Sequence, residues 1–140
     1  MQHGPSPEQW CEKMVQTMTE MAAVNEEILS RMQAAGFPER DIFSMRLALE
    51  EAIVNAIRHG NRGDPAKAVQ VRYRITDQQV VTEIEDEGPG FDPDQIPDPL
   101  APENLERPTG RGLFLIRYYM TSVTFNERGN CLILCKAKSA

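Results

Sequence analysis

The chain has 140 residues, enough for one domain with a buried core, and its 41% apolar and 26% charged residues are ordinary for a soluble globular fold. Fifteen basic residues against twenty-one acidic ones give a net charge of −6, which argues against a nucleic-acid backbone or an anionic membrane as the main partner. No apolar run approaches the ~20 residues of a membrane span. No basic region followed by an apolar stretch opens the chain as a secretory signal would, and Cys11, Cys131 and Cys135 lack CxxC spacing, so reduced thiols in a cytoplasmic protein are expected.

Residues 1–9 read as a disordered lead. Residues 10–18 are too polar for a buried helix and plausible as an edge strand. Thr17 or Thr19 can cap a helix carrying Met21, Val24, Ile28, Met32 and Ala35 on one side, closed by Gly36. Pro38 opens a second helix, with Glu39 and Asp41 in the first turn, where negative charge suits the dipole. That helix is predicted to run to His59, with Gly60 as its end. Ile42, Leu49, Ile53, Ala56 and Ile57 form its apolar face, and Glu51, Asn55 and Arg58 stack roughly opposite.

The period then changes. Residues 69–75 alternate apolar and polar, turn at 76–78, and pair with a second strand over 80–85. Residues 86–108 hold six prolines among glycine and acid, which forbids a regular helix or a central strand; so long a loop in a small domain is usually functional. A third helix is predicted over 113–120, preceded by Gly110 and Gly112, with Leu113, Ile116 and Met120 on one face. Strands over 123–126 and 131–136 close the chain as a hairpin. The order predicts an α+β fold, a two-layer sandwich with helices on one face of a mostly antiparallel sheet, in a single domain spanning 1–140.

Three groups of residues could carry chemistry. Asp86-Glu87-Gly88-Pro89-Gly90 stands where an apolar strand gives way to loop: a half-dry aspartate there can accept a hydrogen bond from a ligand amine, while the glycines admit close approach. The same residues also read as a plain acidic turn, and the spacing of a calcium loop is absent. Thr109-Gly110-Arg111-Gly112, leading into a helix, offers backbone N–H groups, a hydroxyl and a guanidinium to phosphate, or serves simply as a turn with a helix start. The third glycine and parallel strand of a dinucleotide fold are missing, as is a Walker lysine. Glu51 and Asn55 are either a solvated helix face or a pair suited to phosphoryl transfer. In the second case the Asn55 carboxamide would hold Mg²⁺ on phosphates, and the Glu51 carboxylate would orient or deprotonate a hydroxyl. His59 and Gly60 read as a helix end and its cap.

In order, E-x-x-x-N-A-x-x-H-G-N at 51–61, D-x-G-x-G at 86–90 and G-R-G-L at 110–113 resemble the ATP-binding domain of gyrase, Hsp90 chaperones, histidine kinases and MutL, the Bergerat (histidine-kinase-like ATPase, or GHKL) fold. More narrowly, LALEEAIVNAIRHGN, EIEDEGPGFDP and GRGLFLIRYYM resemble the bacterial anti-sigma-factor serine/threonine kinases, over about residues 10–137. The resemblance implies ATP and Mg²⁺ as cofactors, Asn55 as the metal-holding residue and Glu51 as general base. It further implies Asp86 on the adenine amino group, Gly88 and Gly90 shaping the adenine pocket, and Thr109, Gly110, Arg111 and Gly112 on the phosphates. Residues 92–109 would form the ATP lid. The implied substrate is an anti-sigma-factor antagonist protein, the other partner is a sigma factor or similar regulator, and a homodimer is expected, with no nucleic acid and no membrane. A non-catalytic ATP-gated binder and a stand-alone histidine-kinase catalytic domain remain as alternatives. No phosphoacceptor helix or transducer domain is seen, which points away from a complete histidine kinase and from a topoisomerase or mismatch-repair ATPase.

Overall fold

The computed structural model describes residues 9–88 and 108–140, and for 108–112 the backbone course only. The expected lead at 1–9, Gly90, and the expected lid up to Arg107 therefore lie outside the described residues, Gln9 excepted.

Among the described residues, five strands form one sheet: β1 (Cys11–Val15), β2 (Val69–Ile75), β3 (Gln79–Glu85), β4 (Ser122–Phe125) and β5 (Cys131–Ala137). Their order is β1-β2-β3-β5-β4, and every neighbouring pair is antiparallel. Within the polar stretch at 10–18, residues 11–15 are thus an edge strand, where exposed Glu12 and Lys13 also discourage pairing with a further chain. Three α-helices, α1 (Met18–Ala34), α2 (Glu39–Asn55) and α3 (Pro108–Tyr119), complete the α+β sandwich. α1 lies over β1 and β2, α2 over β5, and α3 packs on α2 and β4.

Local chemistry explains the boundaries. Thr17 caps α1 in a reciprocal box with Glu20: its hydroxyl accepts from the Glu20 N–H (3.1 Å), and the Glu20 carboxylate accepts from the Thr17 N–H (3.1 Å). Gly36, at φ 88°, takes the left-handed position that ends the helix. The core joins Val24, Ile28 and Met32 of α1 and Met45, Leu49 and Ile53 of α2 to Val69, Val71, Tyr73, Val80, Ile84 and Leu134 of the sheet. Each such side chain contributes about 1.5–3 kcal/mol by burial. The other sheet face is polar over β2 and β3, where Arg72 bridges Glu83 (2.8 Å) and Glu85 (3.1 Å).

The apolar face of the second helical run is as expected: Leu49, Ile53 and Ala56 are buried, and Ile42 and Ile57 are partly buried against the same core, which Met45, Ala48 and Ala52 extend. Two boundaries are corrected. The α-helix stops at Asn55 rather than His59. Residues 56–60 form a wider π turn, closed by the Asn61 N–H on the Ala56 carbonyl (2.8 Å), so Arg58 leaves the line of Glu51 and Asn55 and is exposed. Finally, α3 starts at Pro108, not after Gly112: proline suits a first helical position, and one turn of helix absorbs both glycines.

Near the chain end, Asp41 is fully buried in the first turn of α2 and accepts the Ser139 N–H (2.8 Å) and hydroxyl, with Lys136 Nζ 3.7 Å away. Burial alone would raise this carboxyl, but the Ser139 hydrogen bonds, Lys136 and Arg40 outweigh it and hold it below the ordinary carboxylate range.

Candidate functional site

The site is built where the end of the α2 run meets the end of β3. Asp86 is the first residue beyond the strand. Its N–H donates to the Asn130 carbonyl (2.9 Å), and its own carbonyl accepts from Asn130 Nδ2 (3.1 Å). The carboxylate is half-buried; Oδ1 accepts the Gly88 N–H (2.7 Å), and among the described residues Oδ2 accepts no hydrogen bond. Desolvation pushes this carboxyl above the ordinary range; the Gly88 N–H, Arg128 and Lys67 pull the other way, and Glu85 adds to the rise.

Gly60 makes this arrangement possible. A Cβ there would fall inside the Asp86 carboxylate, 2.7 Å even from the farther Oδ1. At Gly88 a Cβ would overlap the Gly60 carbonyl and stand 2.9 Å from Asp86 Oδ1. Neither glycine is there for a left-handed φ. Both are clearance for a carboxylate seated on backbone. Asn61, nearly fully buried, ties the two segments: Oδ1 accepts the Glu87 N–H (2.7 Å) and Nδ2 donates to the Ala68 carbonyl (3.0 Å). The next residue, Arg62, holds a left-handed φ of 55°.

The structure therefore brings Asp86 and Gly88 against Gly60, five residues beyond Asn55. Glu51 and Asn55 are both half-buried, while the neighbouring Glu50 is exposed. Neither Glu51 nor Asn55 has a side-chain hydrogen bond or ion pair among the described residues, in contrast to Arg46 and Glu26 on adjoining helix surface. Thr109, Gly110, Arg111 and Gly112 lie at the start of α3, whose buried Leu113 and Ile116, with Met120 just beyond its end, fix it on the layer that contains α2. Gly60, Asn61 and Asn130 were not singled out from sequence as site residues. Gly60 reads as the end of a helix, Asn61 only as the last position of the 51–61 motif and Asn130 as part of a turn, and only the tertiary approach of 60 to 86 separates these roles.

The donor set suits a purine nucleotide with its metal. A half-dry carboxylate with a spare oxygen matches an amine donor, and the bare backbone at Gly60 and Gly88 is what lets that carboxylate sit where it does. Asn55 offers a neutral oxygen, which suits an ion that keeps most of its ligands from phosphate and water; among the described residues no group of three or more His, Cys, Asp or Glu could hold a metal. Among the same residues no helix is long and apolar enough to cross a membrane.

A sandwich of this topology, with a strand-end aspartate seated on glycine backbone beside a helix bearing Glu and Asn, defines a class. The chain belongs to the histidine kinase-like ATPase family, whose domain model matches residues 14–136. Within that class it is similar to serine-protein kinase RsbW of Oceanobacillus iheyensis (29% identity over 71% of this chain and 66% of that protein) and of Listeria innocua (29%, over 73% and 69%). It is also similar to serine/threonine-protein kinase BtrW of Bordetella bronchiseptica (33%, over 61% and 62%). The chain spans about two thirds of the length of these curated relatives.

Proposed function

We propose that the chain is an ATP- and Mg²⁺-dependent protein serine/threonine kinase of the anti-sigma-factor type, which phosphorylates an antagonist protein and binds a sigma factor or similar regulator in the cytoplasm. The observation that carries this reading is the seated carboxylate of Asp86, packed on Gly60 at the end of the helical run that presents a half-buried Glu51 and Asn55. The names of the relatives support the kinase reading, and three free cysteines fit a reducing compartment.

In this reading Asp86 accepts a hydrogen bond from the adenine amino group, and the backbone at Gly60 and Gly88 seats the ring. Thr109, Gly110, Arg111 and Gly112, at the start of α3, are assigned to the phosphates in this reading. Asn55 would hold Mg²⁺, which when bound neutralises charge on the phosphate oxygens. Glu51 accepts the proton of the substrate hydroxyl; the hydroxyl oxygen forms a bond to the γ-phosphorus, the bond to the β–γ bridging oxygen breaks, and ADP leaves with that electron pair. The half-burial of Glu51, against the exposure of Glu50, favours a base at 51 over a plain solvated face.

The test is co-purification of partners from the native cell, followed by incubation with γ-labelled ATP and Mg²⁺. Acid-stable label on a serine or threonine of a partner is the expected result. Acid-labile label would instead identify a histidine-kinase catalytic domain, and ATP binding without transfer would identify a non-catalytic regulator.

A further inference from the structure

We infer that Asn130, braced by Asn126, is a positioning residue that immobilises Asp86 and thereby sets the preference of the site for adenine over guanine nucleotides; this rests on the adenine role given to Asp86 above.

The β3–β5 ladder ends at the pair Glu85 and Cys131. One residue further on, Asp86 would be free to follow the loop, yet both of its peptide groups are taken by Asn130. Its N–H is held by the Asn130 main-chain carbonyl (2.9 Å) and its C=O by the Asn130 side-chain amide (3.1 Å). Asn130 is 5% exposed, so that amide works in a largely dry setting, where an unpaired polar group is costly.

The orientation of the amide is dictated by its neighbours. Asn126 Oδ1 accepts two main-chain N–H groups, from Asn130 (3.0 Å) and Cys131 (3.2 Å), which leaves Asn126 Nδ2 facing Asn130 Oδ1 (2.8 Å). Asn130 must then aim Nδ2 at the Asp86 carbonyl; the flipped amide would set oxygen against oxygen at Asp86 and N–H against N–H at Asn126. Two asparagines thus form a self-orienting chain from the β4–β5 turn to the main chain of Asp86, and the Gly88 N–H and the Gly60 backbone restrain the carboxylate itself.

Adenine presents an amino donor where guanine presents a carbonyl acceptor. A fixed carboxylate attracts the first and repels the second, whereas a mobile one can turn aside and lose both effects. Discrimination between the bases therefore depends on how firmly Asp86 is held, which a merely structural turn would not affect.

The experiment measures calorimetric affinities of the full chain for ATP and GTP with Mg²⁺, together with Tm. The variants are Asn130→Ala, Asn126→Asp and Asp86→Asn. Asn126→Asp keeps the acceptor for the two turn N–H groups but opposes Asn130 Oδ1, forcing the amide to flip. The wild type is expected to prefer ATP, and Asn130→Ala and Asn126→Asp to reduce the ATP:GTP affinity ratio about tenfold, the equivalent of one lost hydrogen bond. A ratio unchanged in both, while Asp86→Asn collapses it, overturns the role of Asn130 and leaves the adenine pocket standing. A ratio unchanged in Asp86→Asn as well overturns the adenine reading and this inference with it. Should Asn130→Ala fail to fold, Asn126→Asp decides.

Discussion

Gly60 and Asp86 lie 26 positions apart in sequence, yet the carboxylate of the second sits in the space that a Cβ on the first would fill. What a Cβ at 60 meets is the end of a side chain; what a Cβ at 88 meets is the Gly60 carbonyl. The two glycines should therefore fail in different ways. Gly60→Ala is expected to fold with modest loss and to displace the Asp86 carboxylate, so that ATP affinity drops more than tenfold. Gly88→Ala should lose about 1–3 kcal/mol of stability, the usual penalty of overpacking against something that cannot yield. Denaturant unfolding and calorimetry on both variants separate the cases.

Asp86 should set opposite pH trends for stability and binding. Its carboxyl is raised by burial, so the charged form is disfavoured in the fold. Stability of the ligand-free protein from this group falls as pH rises from the ordinary carboxylate range through the raised value. Nucleotide affinity, which needs the carboxylate as acceptor, rises across the same window. Asp86→Asn should remove both trends, leaving, at pH above that window, a ligand-free Tm equal to or above wild type and ATP binding weaker by about 1–3 kcal/mol. A variant that loses Tm and keeps its affinity contradicts the assignment.

The sheet and the first two helices were legible because their periods are clean. The alternation at 69–75, the Thr17 cap and the Gly36 stop each determine structure locally. Asp86 was legible as an acid at a strand end. What was not legible depends on distant partners. The π turn at 56–60 has no local signature in AIRHG, and nothing near Asn130 in sequence says that its amide faces Asp86. The start of α3 was misplaced because a glycine pair reads as a breaker when its packing against α2 is unseen.

Glu51 and Glu50 provide an internal control. Glu51→Gln should keep ATP binding and reduce phosphoryl transfer by about 10²–10⁴-fold, the usual contribution of a general base. Glu50→Gln, altering an exposed carboxylate, should transfer at close to the wild-type rate. Single-turnover assays with a partner protein give both numbers.

Arg62 is strained in a left-handed conformation and exposed. Arg62→Gly removes that strain and is expected to raise stability by about 1 kcal/mol, less the added entropy of an unfolded glycine. A lower Tm would mean that the arginine makes a compensating contact.

The buried Asp41 carboxylate ties the chain end to the first turn of α2, and its lowered pKa gives the sign. Its contribution to stability is present above the ordinary carboxylate pKa and is lost as pH falls through the lowered value. Asp41→Ala should cost about 2 kcal/mol at neutral pH and flatten the acid limb of a stability–pH profile, with Ser139→Ala showing a smaller version of both.

The π turn at 56–60 inserts, in effect, one extra residue between Asn55 and Gly60, offsetting everything after it by about 100° from α-helical register. It acts as a swivel between two pieces of machinery. Residues 51 and 55 keep the phase of α2, while 60 and 61 answer to β3, so substitutions that retune chemistry on the helix need not disturb the seat of the aspartate. The two halves can diverge separately under selection, and an engineer could exchange one and keep the other.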